Sequence, residues 1–306
     1  MDHQSFLEHA AFEQRHWWFR ARRRIIHQVL RELIDPGQQS VLEIGCGTGA
    51  NSAALARHFD VRGVDISGHA IDLAKASFPE VSFRCYRDLD QIDAWIGQAS
   101  AILMLDVWEH IRDEFEFLSE LTCRTRPGAF AIVTVPADPD LWSEHDEALF
   151  HYRRYDAKRL AMVWDGLPWT PIAISGLNYR LAPLIRAIRK WQPRRESSSS
   201  PRTHLKQPSQ WVNRTLEAIF AGESKFLIRQ LRREQPPVDD AVVPHRNGVS
   251  LFAVLRRDEG RCQPRVRPSD CPADLFDPPK FDLGVSTKQE TKLGEVCNSH
   301  DAVPTP

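Results

Sequence analysis

Three glycines alternate through one turn, Gly45, Gly47 and Gly49, directly after the apolar pair Val41 and Leu42 and directly before a stretch of helical periodicity. A strand, a tight glycine turn and a helix start in that order form the opening unit of a parallel α/β sheet, which restricts the fold more than any other feature of the chain. Residues without Cβ let backbone N–H groups approach a ligand closely, so the turn reads as a nucleotide-type cradle. Its spacing through Gly45, Gly47 and Ala50 also satisfies the dinucleotide pattern. The glycines alone leave the ligand open between a nicotinamide and something smaller.

Two acids narrow the choice. Glu43 lies on the strand just before the turn, where a pyrophosphate is repelled and a cationic amino-acid ligand is welcome. Asp65 ends the next apolar strand, about twenty residues on, where a carboxylate can accept hydrogen bonds from ribose hydroxyls. Together they favour S-adenosylmethionine. Strand-like runs recur at 40–44, 61–65, 81–85, 101–106 and 129–135, separated by helical patterns such as 50–59, 70–78 and 115–124. That alternation predicts a doubly wound parallel sheet whose ligand crevice lies outside the carboxyl ends of the strands. The glycine turn, Asp65 and Asp106 all fall at that edge.

With these residues in view, the chain resembles the class I S-adenosylmethionine-dependent methyltransferases over roughly residues 12 to 176, with a last strand near 249 to 256. It looks most like bacterial relatives of the ubiquinone-biosynthesis O-methyltransferases, many of which sit in glycan or secondary-metabolite pathways. The likeness rests on Val41 to Gly49, Val64 to Ser67, Leu105 to His110, Arg126 to Gly128 and Val133 to Pro136, five motifs in the family's order. The resemblance implies a Rossmann-like seven-stranded sheet with N-terminal lid helices over 1–36 and a cofactor-binding α/β domain over 37–177. A basic helical insertion over 178–244 and the last strand within 245–257 would follow. It further implies that Glu43, Gly45 and Gly47, with Cys46 between the glycines, line the methionine moiety. Asp65 would bind the ribose and Ile66 would pack on adenine, while Leu105 and Asp106 complete the cofactor-binding set. Arg20 would reach the cofactor carboxylate. Asp88 is the nearest candidate for the family's adenine-side acid and falls about one residue late.

At 306 residues with 42% apolar content, the chain can bury one full α/β core with additions. Its formal net charge of −1 attracts it to neither nucleic acid nor membrane as a whole. No apolar run is long enough to span a bilayer, and the amino terminus lacks a basic-then-apolar leader, so a cytosolic protein is expected. The six cysteines show no Cys-x-x-Cys pair and no paired histidine spacing, which predicts reduced thiols, no disulfide framework and no metal site. After Arg257 the chain is rich in Pro, Asp and Lys, and residues 258–306 read as a disordered tail.

The helix pair expected over residues 12–33, before the sheet, carries His16, Trp17, Trp18 and Phe19. Either a tryptophan plugs the sheet edge, or the segment covers the cofactor. Arg22, Arg23 and Arg24 read as a solvated helix face. Between 178 and 235 stand thirteen Lys or Arg against four Glu and no Asp. Leu181, Leu184, Ile185 and Ile188 share one helical face, and Trp211 to Arg233 behaves similarly. Such helices pack on a sheet as a cap, or lie in a membrane interface or over a greasy substrate. The serine-containing linker at 194–208 reads as mobile.

Methyl transfer to a hydroxyl needs the nucleophile held near the methyl carbon and its proton removed. Three histidines near the expected crevice are candidates for that work: His110, His145 and His151. Each has a structural alternative, as a helix cap or a loop histidine satisfied by Asp146 or Glu144. Arg153 and Arg154 either bind an anionic group on the acceptor or anchor their loop. The leading reading is methyl transfer to oxygen, less readily nitrogen or carbon, of a small-molecule, glycan or lipid-linked acceptor. Against it stand a nicotinamide-dependent oxidoreductase and a non-catalytic partner subunit of the same fold. A nucleic-acid substrate is disfavoured, since no Asn-Pro-Pro-Tyr or Asp-Pro-Pro-Tyr stretch follows strand four.

Overall fold

The computed structural model describes residues 12–37, 39–191, 208–232, 247–262 and 265–277. Its strands are β1 Ser40–Ile44, β2 Asp60–Asp65, β3 Ser82–Cys85, β4 Ala101–Leu105, β5 Phe130–Pro136, β6 Trp169–Leu177 and β7 Ser250–Arg257. They form one seven-stranded sheet in the order β3-β2-β1-β4-β5-β7-β6. β1 to β5 pair in parallel, and β7 runs antiparallel between β5 and β6, with Ala253 opposite both Val133 and Ile174. The strand order reverses between β1 and β4, and a doubly wound sheet opens its ligand crevice at that point.

The described helices are α1 Trp17–Leu33, α2 Ala50–Leu55, α3 Gly68–Ser77, α4 Asp93–Gln98, α5 Glu114–Arg124, α6 Glu144–Ala148, α7 Ala157–Trp164, α8 Ala182–Trp191, α9 Gln210–Ala221 and α10 Ser224–Leu231. Every residue of β4 is buried, as expected of a central strand covered on both faces. Successive side chains of a strand alternate sides. Ile102 and Met104 accordingly join the layer of α4, α5 and α7, while Ala101, Leu103 and Leu105 join the layer of α1, α9 and α10.

Ile25, Ile26, Val29 and Leu30 recur at helical spacing and form the buried stripe of α1. The inserted helices settle on the same layer, with Phe220 of α9 and Leu227 of α10 buried in it. Asn213 of α9 accepts the Trp17 N–H (2.9 Å) and donates to the Arg15 carbonyl (3.0 Å). Of the two readings of this insertion, α9 and α10 therefore take the first and pack as a cap. The linker expected at 194–208 lies, apart from Pro208, outside the described residues, as do the side chains of Ile188 to Trp191.

Two expectations fail. Residues 258–262 and 265–277 are ordered against the domain: Asp274 accepts from Arg153 (2.6 Å) and Arg267 (2.9 Å), and the N–H groups of Leu275 and Phe276 donate to the Tyr152 carbonyl (3.0 and 3.1 Å). Charge pairing holds this stretch in place of the aliphatic residues it lacks. Residues 278–306 of the expected tail lie outside the described residues. Cys123 and Cys262 form a disulfide across 139 residues, a separation too long to register as a sequence motif. Among the described residues, Cys46, Cys85 and Cys271 take part in no disulfide.

Candidate active site

The glycine turn is fixed from below and from the side. Gly45 and Cys46 donate their N–H groups to the Val64 carbonyl (2.8 and 3.0 Å). Asp65 reaches back from the end of β2, one oxygen accepting the Gly47 N–H (2.9 Å) and the other the Ser67 N–H (2.8 Å). Gly45 and Gly47 both adopt left-handed backbone, at φ 74° and 53°. A Cβ on Gly45 would sit 2.6 Å from Val107, whereas one on Gly47 would meet nothing within 4 Å. Gly45 thus serves packing, and Gly47 faces the open crevice. A turn with no side chain on its ligand side at Gly47 leaves room for a small nucleoside ligand.

Glu43 is 1% exposed beneath the turn and takes hydrogen bonds from the Ser52 hydroxyl and the Asn51 amide. Burial lifts its pKa to about 7 against the pull of those two hydrogen bonds. Burial likewise raises Asp65, opposed by the N–H groups it accepts, and raises the Cys46 thiol well above its ordinary value. Ile66 stands 62% exposed beyond Asp65, a bare apolar side chain beside the crevice. Leu105 is buried in the core at the end of β4. Asp106 follows it in left-handed backbone, φ 59°, with its carboxylate on the Thr134 hydroxyl (2.9 Å). Asp88 is exposed and caps the short turn at 89–92, accepting the Gln91 N–H (3.2 Å).

The N-terminal arginines differ from expectation. Arg20 is paired with Glu217 of α9 (2.8 Å), a partner supplied by the insertion. Arg22 is instead the cation of the crevice: it is buried, pairs with Asp106, and lies over the ring of Trp18 (4.5 Å). Arg23 is partly buried and donates to the Glu13 carbonyl (3.0 Å), so only Arg24 sits on an exposed face, paired with Glu217 (3.0 Å). Trp17 and Trp18 both pack on Phe220. Glu13 accepts the Thr48 hydroxyl (2.9 Å), which places the segment before α1 directly on the glycine turn.

A second cluster stands beside Asp106, in the loops after β4 and β5. The His110 and His151 rings meet edge to face at 4.7 Å. His151 is buried with Nδ1 3.0 Å from Asp146, which also pairs with Arg154 (2.9 Å) and accepts the Ser143 N–H and hydroxyl (3.0 Å each). Burial alone would raise the Asp146 carboxyl, but the His151 hydrogen bond and Arg154 outweigh it and hold it below its ordinary value. Desolvation and then neighbouring His151 lower His110 to about 4, although its ring keeps an exposed edge. The donor atoms of Glu109, His110 and His151 lie within 4.8 Å of one another. His145 does not converge with them; it is exposed on α6, about 100° around the helix from Asp146.

Arg153 and Arg154 are buried anchors. Arg153 donates to the carbonyls of Trp108 (3.1 Å), Ile111 (2.6 Å) and Arg112 (2.8 Å) and pairs with Glu114 (2.8 Å), while Arg154 donates to the Ala137 carbonyl (2.8 Å). Both are therefore committed inward. Sequence reasoning missed Glu13, Arg22 and Glu109. Only Glu109 carried a signal, as the neighbour of His110 in a recognised motif.

Residues 15–170, about half of the chain, match the family described as a methyltransferase domain. The chain belongs to the class I S-adenosylmethionine-dependent methyltransferases. A Mycolicibacterium smegmatis protein named "Probable S-adenosylmethionine-dependent methyltransferase" is 28% identical over 152 residues, covering 48% of this chain and 57% of that protein. An O-methyltransferase of Pyrenophora dematioidea is 27% identical over 117 residues, covering 36% and 43%. The chain spans about half the length of the curated relatives it matches. Among solved structures, a methyltransferase from Archaeoglobus fulgidus is similar at 16% identity, over 76% of this chain and 94% of that one, with a TM-score of 0.46. Family membership makes S-adenosylmethionine the cofactor and removes the nicotinamide reading.

Proposed function

We propose that the chain transfers the methyl group of S-adenosylmethionine to a hydroxyl oxygen of a small-molecule acceptor, as its motifs' resemblance to the ubiquinone-pathway O-methyltransferases implies. The observation that carries this reading is the adjacency, at one sheet edge, of the Gly45 to Gly49 cradle and a histidine pair whose buried member, His151, is oriented by Asp146. Bound S-adenosylmethionine supplies an electrophilic methyl carbon. Glu43 then faces the methionine ammonium, Gly45, Cys46 and Gly47 offer backbone, Asp65 takes the ribose hydroxyls, and Ile66 covers the adenine. Leu105 and Asp106 floor the crevice between the two halves. Asp88 closes the adenine end. Arg22, and not Arg20, stands closest to the cofactor carboxylate in this arrangement.

On the acceptor side, Asp146 holds His151 by Nδ1 and leaves Nε2 toward His110 and Glu109, where the hydroxyl proton is handled. A lipid-linked acceptor is supported by Leu184 on α8 and Trp211 on α9, which are 57% and 76% exposed. Transfer from labelled S-adenosylmethionine across phenolic, glycosidic and prenylated hydroxyl compounds tests the proposal. Incorporation that disappears when the hydroxyl is replaced by hydrogen supports oxygen transfer. S-adenosylhomocysteine binding without turnover on any panel compound favours the non-catalytic subunit.

A further inference from the structure

Three of the acids on the acceptor side of the crevice, Asp106, Glu109 and Asp146, differ in their counter-charges. Asp106 has Arg22, and Asp146 has Arg154. Glu109 is 1% exposed, and neither of its carboxylate oxygens has a hydrogen-bond partner in another described residue. A buried carboxylate without donor or cation costs several kcal/mol if ionised, of the order found for an unpaired buried charge.

We propose that Glu109, His110 and His151 bind a divalent transition ion of the zinc class. Two imidazoles and one carboxylate are the donor set that such ions prefer, whereas magnesium and calcium favour all-oxygen sites. The outer contacts fit as well. Asp146 engages Nδ1 of His151, so that ring keeps its other nitrogen for the ion. Carboxylate or carbonyl partners of that kind fix a metal-binding histidine's tautomer and orientation. Ligands of one such ion lie about 3 to 4 Å apart. The present spread of up to 4.8 Å is wider, so binding would draw the three side chains together.

The role of the site rests on the methyltransferase reading above. Three protein ligands leave a coordination position for the acceptor oxygen. A hydroxyl bound there loses its proton to water at lower pH, and the resulting oxygen takes the methyl group as the sulfur–carbon bond breaks and its electron pair stays on sulfur. The cluster then handles the hydroxyl proton through the ion, with His110 and His151 as its ligands.

The test uses the full chain with any purification tag removed, treated with chelator, dialysed against Zn2+ and assayed for bound metal; S-adenosylhomocysteine affinity is measured on the same samples. One ion per chain is expected, with Co2+ giving the intense visible bands of a four-coordinate site. Glu109→Gln and His151→Ala should each weaken Zn2+ at least tenfold, and Asp146→Asn about tenfold, with homocysteine-product affinity unchanged. Less than half an ion per chain, or binding indifferent to all three variants, overturns the site. If a variant fails to fold, the wild-type stoichiometry and the remaining variants decide. Loss of S-adenosylhomocysteine binding by the wild-type chain would count against the methyltransferase reading and leave the metal result to stand by itself.

Discussion

The two halves of the crevice are built in opposite ways. On the cofactor side, Glu43, the glycines, Ser52 and Asp65 fall within 23 residues of sequence and are joined by short-range hydrogen bonds. The acceptor side draws Glu109, Glu114, Asp146, Arg154, Arg159 and Asp274 from two loops, three helices and the segment after β7. Contiguous contacts make the first half a nearly autonomous unit. The second half depends on charge pairs whose members meet only in the finished fold.

The difference can be broken at its most exposed point. Glu114→Ala leaves Arg153 and Arg159 buried with fewer partners and should cost about 3 to 5 kcal/mol of stability, read by denaturant unfolding, as for removal of one member of a buried pair. In the fraction that remains folded at low temperature, S-adenosylhomocysteine affinity should stay within about twofold, since the cofactor half does not use these groups. Asp65→Ala is the converse. It should weaken that ligand about a hundredfold, near 2.7 kcal/mol, by removing both the ribose acceptor and the brace on Gly47. Calorimetric titration checks it, and an unchanged affinity would sink the assignment.

A third, smaller effect comes from pH. Glu43 is about half ionised near pH 7 in the free protein. A bound ammonium favours its charged form, so affinity should rise from pH 6 to pH 8, by about tenfold, and level off above. Glu43→Gln should flatten that dependence; a slope that survives the substitution assigns it elsewhere. Smallest is Asp274→Asn, which keeps the hydrogen-bonding shape but removes the charge facing Arg153 and Arg267. A loss of about 1 kcal/mol in thermal unfolding is expected, with acceptor turnover falling more than cofactor affinity.

The same contrast explains what could be read from sequence. The sheet, its strand sequence and the turn were legible because Val41 to Gly49 and Val64 to Ser67 encode their own geometry within a few residues. Arg22 was not, because a run of three arginines looks like a wet helix face and its partner Asp106 lies 84 residues away. The partner of Arg20 was hidden for the same reason, since Glu217 belongs to the insertion. Histidines 110 and 151 were recognised one by one, but their convergence with Glu109 depends on how two loops cross. Cys123 and Cys262, and the packing of Asp274, are long-range facts with no local pattern.

One contact has a kinetic side. α1 carries Arg22 into the crevice, the stretch just before it sets Glu13 on Thr48, and Asn213 and Glu217 tie the same helix to α9. The wall beside the glycine turn thus leans on a segment supplied by the insertion. Changes in α9 that leave equilibrium affinity intact should alter how fast the spent cofactor departs, and a stopped-flow displacement trace would register them before any steady-state assay did.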